Sequence, residues 1–195
     1  DSVIIHFEKP NYLPYTDTLT LFAGETLTLD VELVPDFALF TWDLNLRDSA
    51  ENFALDNAQI RLFSIGEEEN FTYETQSNGQ LTQPLIPEGS FELYYGKWGW
   101  KEKCNPSFTI NSARADSLFL ARGYQDYFNL DLGWTTEATS SVGQWERAIP
   151  AGTEIDSLIS NPNQSSPNDF GAHAFVTGND DRNVGFDDVD DGDVS

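Results

Sequence analysis

The chain has 195 residues, 39% of them hydrophobic and 13% aromatic, with a formal net charge of -23: enough apolar material for one large or two small folded domains, and too much for a disordered chain. So negative a field repels phosphate backbones and anionic lipid, which excludes nucleic acid and membrane surfaces as partners and leaves cations, neutral sugars and basic protein patches. No run of eighteen apolar residues offers a helical membrane span, and Cys104, the single cysteine, cannot close an internal disulfide.

From the N-terminus, Thr18 to Phe22 reads as a strand, turned by Ala23-Gly24-Glu25 into a second from Thr26 to Val34. The second alternates cleanly, with Leu27, Leu29, Val31 and Leu33 on one face and Thr28, Asp30 and Glu32 on the other. Phe40, Trp42, Leu44 and Leu46 repeat the pattern. Ser49 to Phe63 has the Ala, Glu, Leu and Gln content of a capped helix, but Asp56-Asn57 interrupts it, so a loop and then a strand from Ala58 to Phe63 is expected. Asn78-Gly79 and Pro87-Glu88-Gly89 supply turns between strands at Phe71 to Thr75 and Phe91 to Tyr95. Phe128, Leu130, Leu132 and Trp134 alternate again, and Ala172 to Thr177 reads as a last strand.

Two parts of the chain share a pattern. Ile5 to Tyr12 is similar to Tyr94 to Trp100, Leu19-Thr20-Leu21 answers Phe108-Thr109-Ile110, and Leu27-Thr28-Leu29 answers Leu118-Phe119-Leu120. The division this implies is 1–37 as the closing strands of a first β-sandwich repeat, 38–124 as a complete copy, and 125–195 as a further module. With no methionine and no signal peptide, the chain reads as an internal or mature piece of a longer polypeptide, its first and last apolar faces covered from outside.

Residues 38–124 resemble the carboxypeptidase-regulatory-like modules, prealbumin-like sandwiches of secreted bacterial proteins. The resemblance rests on Ala54 to Leu62, Thr75 to Gly79, Ile86 to Leu93 and Lys97 to Trp100, with no glycine before Ala58 and with Trp100 where tyrosine is common. Residues 125–195 resemble the jelly-roll modules that follow such repeats, or peptidase domains, in exported Bacteroidetes-type proteins. The matching residues are Gly133-Trp134, Trp145-Glu146-Arg147 with Pro150, Thr177-Gly178-Asn179 and Asp188 to Gly192, with Ala148 in place of a glycine. The implied fold is all-β: tandem prealbumin/Ig-like β-sandwiches followed by part of a jelly roll. The implied location is the bacterial cell surface or outside the cell, by type IX secretion.

Chemistry concentrates in three places. Asn179, Asp180, Asp181, Asp187, Asp188 and Asp190 form a carboxylate-dense tract that a hard cation, calcium, would neutralise, although Val189 falls on a required ligand position of an EF-hand loop. Tyr94, Trp98 and Trp100 form a candidate sugar-stacking set, against the alternative that they pack in the sandwich. His6 and His173 are the only histidines, too few for a three-histidine zinc site, and Cys104 has no protease-like surroundings. The expectation is a non-catalytic spacer and calcium-stiffened adhesion or docking segment, with no catalytic residue and no organic cofactor. Its partners would be the rest of the parent polypeptide or a cell-surface or secretion protein. The alternatives are an accessory region of an exported peptidase, and a carbohydrate-binding module taking glycans.

Overall fold

The computed structural model describes residues 2–9, 12–66, 70–81, 84–137, 139 and 143–179. Every regular element among them is a strand: β1 (Ser2–Phe7), β2 (Tyr15–Thr20), β3 (Leu39–Asp48), β4 (Gln59–Ser64), β5 (Asn70–Glu74), β6 (Gln80–Leu81), β7 (Leu85–Pro87), β8 (Gly89–Gly96), β9 (Lys103–Ile110), β10 (Arg114–Leu120), β11 (Glu146–Ala148), β12 (Thr153–Ile155), β13 (Leu158–Asn161) and β14 (Ala174–Val176). The all-β expectation holds.

Two sheets make a sandwich from residues 39–120. One runs β10-β3-β6, with β7 also on β3; the other runs β5-β4-β8-β9. Alternation decides which side chains meet between them: Trp42, Leu44 and Leu46 from β3 face Ile60 and Leu62 from β4 and Phe91 and Leu93 from β8, all buried. At about 1.5 to 3 kcal/mol for each large side chain buried, this layer dominates the stability of the chain. β3 pairs antiparallel with β6 and β7 but parallel with β10, from Arg114 opposite Trp42 to Leu120 opposite Asp48. The Asn78-Gly79 turn leads into β6, where Gly79 has φ 72° and a Cβ would lie 2.7 Å from the Leu46 carbonyl, so only glycine fits.

Asp48 closes β3 as a buried carboxylate. Its Oδ1 accepts from the Glu51 and Ala50 N–H groups at 2.8 and 2.9 Å, and its Oδ2 from the Trp100 indole at 3.0 Å and Arg122 Nε at 3.4 Å. These donors, the Glu51 amide first, hold its pKa down at about 2. Ser49 therefore begins a turn rather than a helix, and β4 follows, as the Asp56-Asn57 interruption implied.

Two expected strands are absent. β2 pairs with β1, from Ser2 opposite Thr20 to Phe7 opposite Tyr15. The turn after it forms, with Gly24 at φ 84° and the Glu25 N–H on the Phe22 carbonyl at 3.1 Å. Residues 26–34, however, have no strand beside them among the described residues, and Leu27 and Leu29 stay 53% and 37% exposed. Alternation encodes a face, and a strand also needs a neighbour to bond. The second absence is 128–134: Phe128 has φ 59°, a left-handed conformation that breaks a strand, and the run is loop throughout. Beyond it, among the described residues, lie two two-stranded pairs, β11 with β14 and β12 with β13.

Candidate functional site

The turn at residues 97–100 places Trp98 in the open. The Trp100 N–H donates to the Lys97 carbonyl at 2.9 Å, and Gly99, at φ 87°, supplies the left-handed third position. Residue two of such a turn points outward, and Trp98 is 50% exposed. The frame is rigid, because Gly123 N–H bonds the Gly99 carbonyl at 3.0 Å, Lys101 N–H the Ala121 carbonyl at 2.9 Å and Glu102 N–H the Gln125 carbonyl at 2.8 Å. That second segment carries Tyr124, 81% exposed, whose ring meets Trp98 edge-on at 5.6 Å.

Trp134 completes the group. Its ring stands nearly perpendicular to that of Trp98, with centroids 5.1 Å apart, and it is 48% exposed. Asp126 Oδ2 accepts its indole N–H at 2.7 Å, and the loop that carries it is pinned where Asp131 N–H meets Gln59 Oε1 at 2.9 Å. The three rings border an open cleft, with Trp100, Phe128 and Leu132 among its lining residues and Lys97, Gln125 and Asp126 as polar groups. Phe128 keeps its left-handed backbone because Asp126 Oδ1 accepts its N–H at 2.8 Å, Arg147 donates to its carbonyl at 3.0 Å, and its ring packs on Phe175 at 5.2 Å. Several contacts over-determine a strained residue at the cleft, an arrangement common at binding sites.

Behind Asp126 lies Glu102, 3% exposed. One oxygen accepts the Tyr127 N–H at 2.7 Å, while Oε1 has no hydrogen-bond partner among the described residues. Burial pushes its pKa up to about 8, and the neighbouring Asp126 carboxylate adds to the rise. A proton resolves the conflict of acceptor against acceptor: neutral Glu102 is a donor towards Asp126. Glu102 does not line the cleft; it lies against Asp126, which in turn holds Trp134.

The structure separates the three sequence-predicted stacking residues. Trp98 is at the rim; Trp100 is half-buried, packed on the core and on Phe53 at 6.4 Å. Tyr94 is corrected as a stacking residue: it is 4% exposed, its hydroxyl bonds Glu92, and it borders a different cleft. That second cleft also holds Arg61 and His173. Arg61 and Arg147 donate to the adjacent carbonyls of Asn129 and Phe128 at 2.9 and 3.0 Å, fastening the C-terminal segment to the sandwich. Burial, and then these two cations, lower the His173 pKa. His6 is exposed on β1, with Thr16 Oγ1 and Glu8 Oε1 both at 2.7 Å. Cys104 is half-buried on β9, its thiol raised to about 11 by burial and by Glu92, and so protonated at neutral pH.

Of the suggested calcium ligands, Asp180, Asp181, Asp187, Asp188 and Asp190 lie outside the described residues. Asn179 is engaged as a bracket, accepting the Ala151 N–H at 2.7 Å and donating to the Ile149 carbonyl at 3.1 Å. Among the described residues, no group of three His, Cys, Asp or Glu side chains could hold a metal ion.

Tyr124 and Trp134 are the site residues that sequence reading missed. The Gly133-Trp134 pair after Asp131 has the composition of a turn, and that local signal was the one available for Trp134. No protein-family model matches the chain and no curated protein sequence matches it, so its function has to be argued from the cleft itself.

Proposed function

We propose that this chain is a non-catalytic adhesion segment of a secreted or cell-surface bacterial protein, and that it binds neutral sugar rings in the Trp98–Tyr124–Trp134 cleft. The observation that carries this reading is three large aromatic rings held exposed by a hydrogen-bonded frame, where burial is the usual fate of tryptophan. Ring faces match the apolar C–H faces of pyranoses, and Gln125 and Asp126 supply a donor and acceptors for hydroxyl groups. Charge selects within glycans: at -23 the chain repels sialylated or sulfated chains and tolerates neutral ones. The experiment is a glycan array probed with the native chain and with a Trp98→Ala/Trp134→Ala double variant. Binding to neutral glycans that the double variant loses supports the reading; equal signals from both proteins would overturn it.

The secreted, tandem-module setting and the role of calcium rest on the resemblances and on the carboxylate tract. Calcium on Asp187, Asp188 and Asp190 would bind the folded state preferentially and stabilise it by about 2.7 kcal/mol at a hundred times its dissociation constant. Thermal melts with excess calcium should therefore end higher than melts with chelator, and coincident midpoints would remove calcium from the account.

No hydrolysis of peptide or glycosidic bonds is expected of the isolated chain. The motivation is a Cys104 held as a thiol and a raised acid, Glu102, that does not line the cleft. An activity that one substitution among these residues abolishes would show otherwise.

A further inference from the structure

Two lysine–aromatic pairs of this chain make the same contacts. The Tyr12 N–H donates to the Lys9 carbonyl at 3.1 Å, as the Trp100 N–H does to the Lys97 carbonyl at 2.9 Å. In each, the lysine ammonium stands over the ring three positions on, 4.4 Å from the Tyr12 centroid and 5.8 Å from the Trp100 centroid. Each lies between the strands of an antiparallel pair, β1 and β2 in the first case, β8 and β9 in the second. Each aromatic residue also forms an antiparallel bridge to the end of the segment that follows the pair, Tyr12 to Pro35 and Trp100 to Arg122.

The copies differ in one respect. The returning segment of the second copy is β10, and it lies parallel to β3 over seven residue pairs. The returning segment of the first is 26–34, with Leu27, Leu29, Val31 and Leu33 alternating as a strand face would, and no strand beside it among the described residues. Ile4, Phe22 and Val34, from the same part of the chain, are exposed as well. Leu27 and Leu29 are exposed and Val31 and Leu33 half-buried, and a segment without strand pairing beside a partly uncovered apolar face is a template for strand addition.

We propose that residues 27–33 are the acceptor edge for a strand supplied by another protein, docking parallel to them as β3 docks on β10. β3 defines its chemistry: apolar side chains at alternate positions, to cover Leu27, Leu29, Val31 and Leu33. Asp30 and Glu32 on the other face call for neutral or basic residues opposite. The same charge argues against a second copy as the occupant, because two chains of -23 repel.

The probe is a synthetic peptide of the β3 sequence, residues 39–48, carrying Asp43→Lys, added to the full chain while amide hydrogen exchange is followed. Without peptide, amides 27–33 should exchange far faster than amides 114–120. With saturating peptide they should slow by about tenfold or more, a scrambled peptide should have no effect, and Leu29→Asp should remove the response while the core amides stay protected. Three results overturn the proposal: protection of 27–33 equal to that of β10 in the chain alone, no slowing at millimolar peptide, or protection that grows with chain concentration and without peptide, which would make a second copy the occupant.

Discussion

Trp98→Ala should weaken the binding of a neutral oligosaccharide by roughly 30-fold, the effect of about 2 kcal/mol lost from a central aromatic contact. The cost to the fold should be small, because half of the side chain already faces solvent and its ring contacts are with Tyr124 and Trp134, outside the sandwich core. Isothermal titration and a thermal melt of the same preparation separate the two effects. Phenylalanine at position 98 should recover part of the affinity, since it keeps a ring at the rim. A variant that binds as tightly as the native chain would place the sugar elsewhere; one that no longer folds would make Trp98 structural.

Glu102→Gln should alter how stability depends on pH. The folded-state pKa of Glu102, about 8, lies above its ordinary value of 4.5, so the folded chain holds this proton more tightly than the unfolded chain does. The stabilisation is fully present below pH 4.5 and is lost progressively as pH rises through 8. The loss is bounded at about 5 kcal/mol, the product of the shift and about 1.4 kcal/mol per unit. Glutamine is neutral at every pH, accepts the Tyr127 N–H with its oxygen and turns an amide donor towards Asp126. The variant should therefore gain on the native chain steadily from pH 4.5 to 8, and the difference should then level off in urea titrations. Sugar affinity should follow, because ionised Glu102 repels the Asp126 carboxylate that holds the Trp134 indole. Parallel stability profiles for the two proteins would mean that Glu102 is ionised and solvated in the fold. Asp48 acts on the opposite limb: its lowered pKa gives stability that is present above pH 3.8 and lost as pH falls through about 2.

Where a strand buries one face inside the sandwich, its pattern was legible. Phe40, Trp42, Leu44 and Leu46 are β3, and Ile60 and Leu62 are β4, because two packed sheets enforce period-two burial. The same pattern misled at 26–34 and 128–134. In the first, side-chain alternation is there but the hydrogen-bonding neighbour is missing; in the second, a left-handed Phe128 redirects the chain and turns an apparent core strand into the lining of a cleft. Trp98 was legible as a member of the aromatic stacking set, and the structure places it at the rim. Tyr94 was not separable from it in one dimension, since only pairing shows that β8 buries Tyr94 while the next turn exposes Trp98. Trp134 reaches the site through a bond to Asp126, eight residues back, and through the Asp131–Gln59 bond, which spans 72 residues and which no local spacing reveals.

The most direct test uses the five tryptophans as reporters. In a 15N-labelled chain each indole N–H gives its own signal, and that of Trp42, buried and bonded to Asp116 at 2.7 Å, is an internal control. Saturation with a neutral oligosaccharide selected on the array should shift the Trp98 and Trp134 indole signals and leave Trp42 in place. A sugar that binds while both cleft indoles stay unmoved, or a chain that binds no neutral sugar at all, would contradict the account.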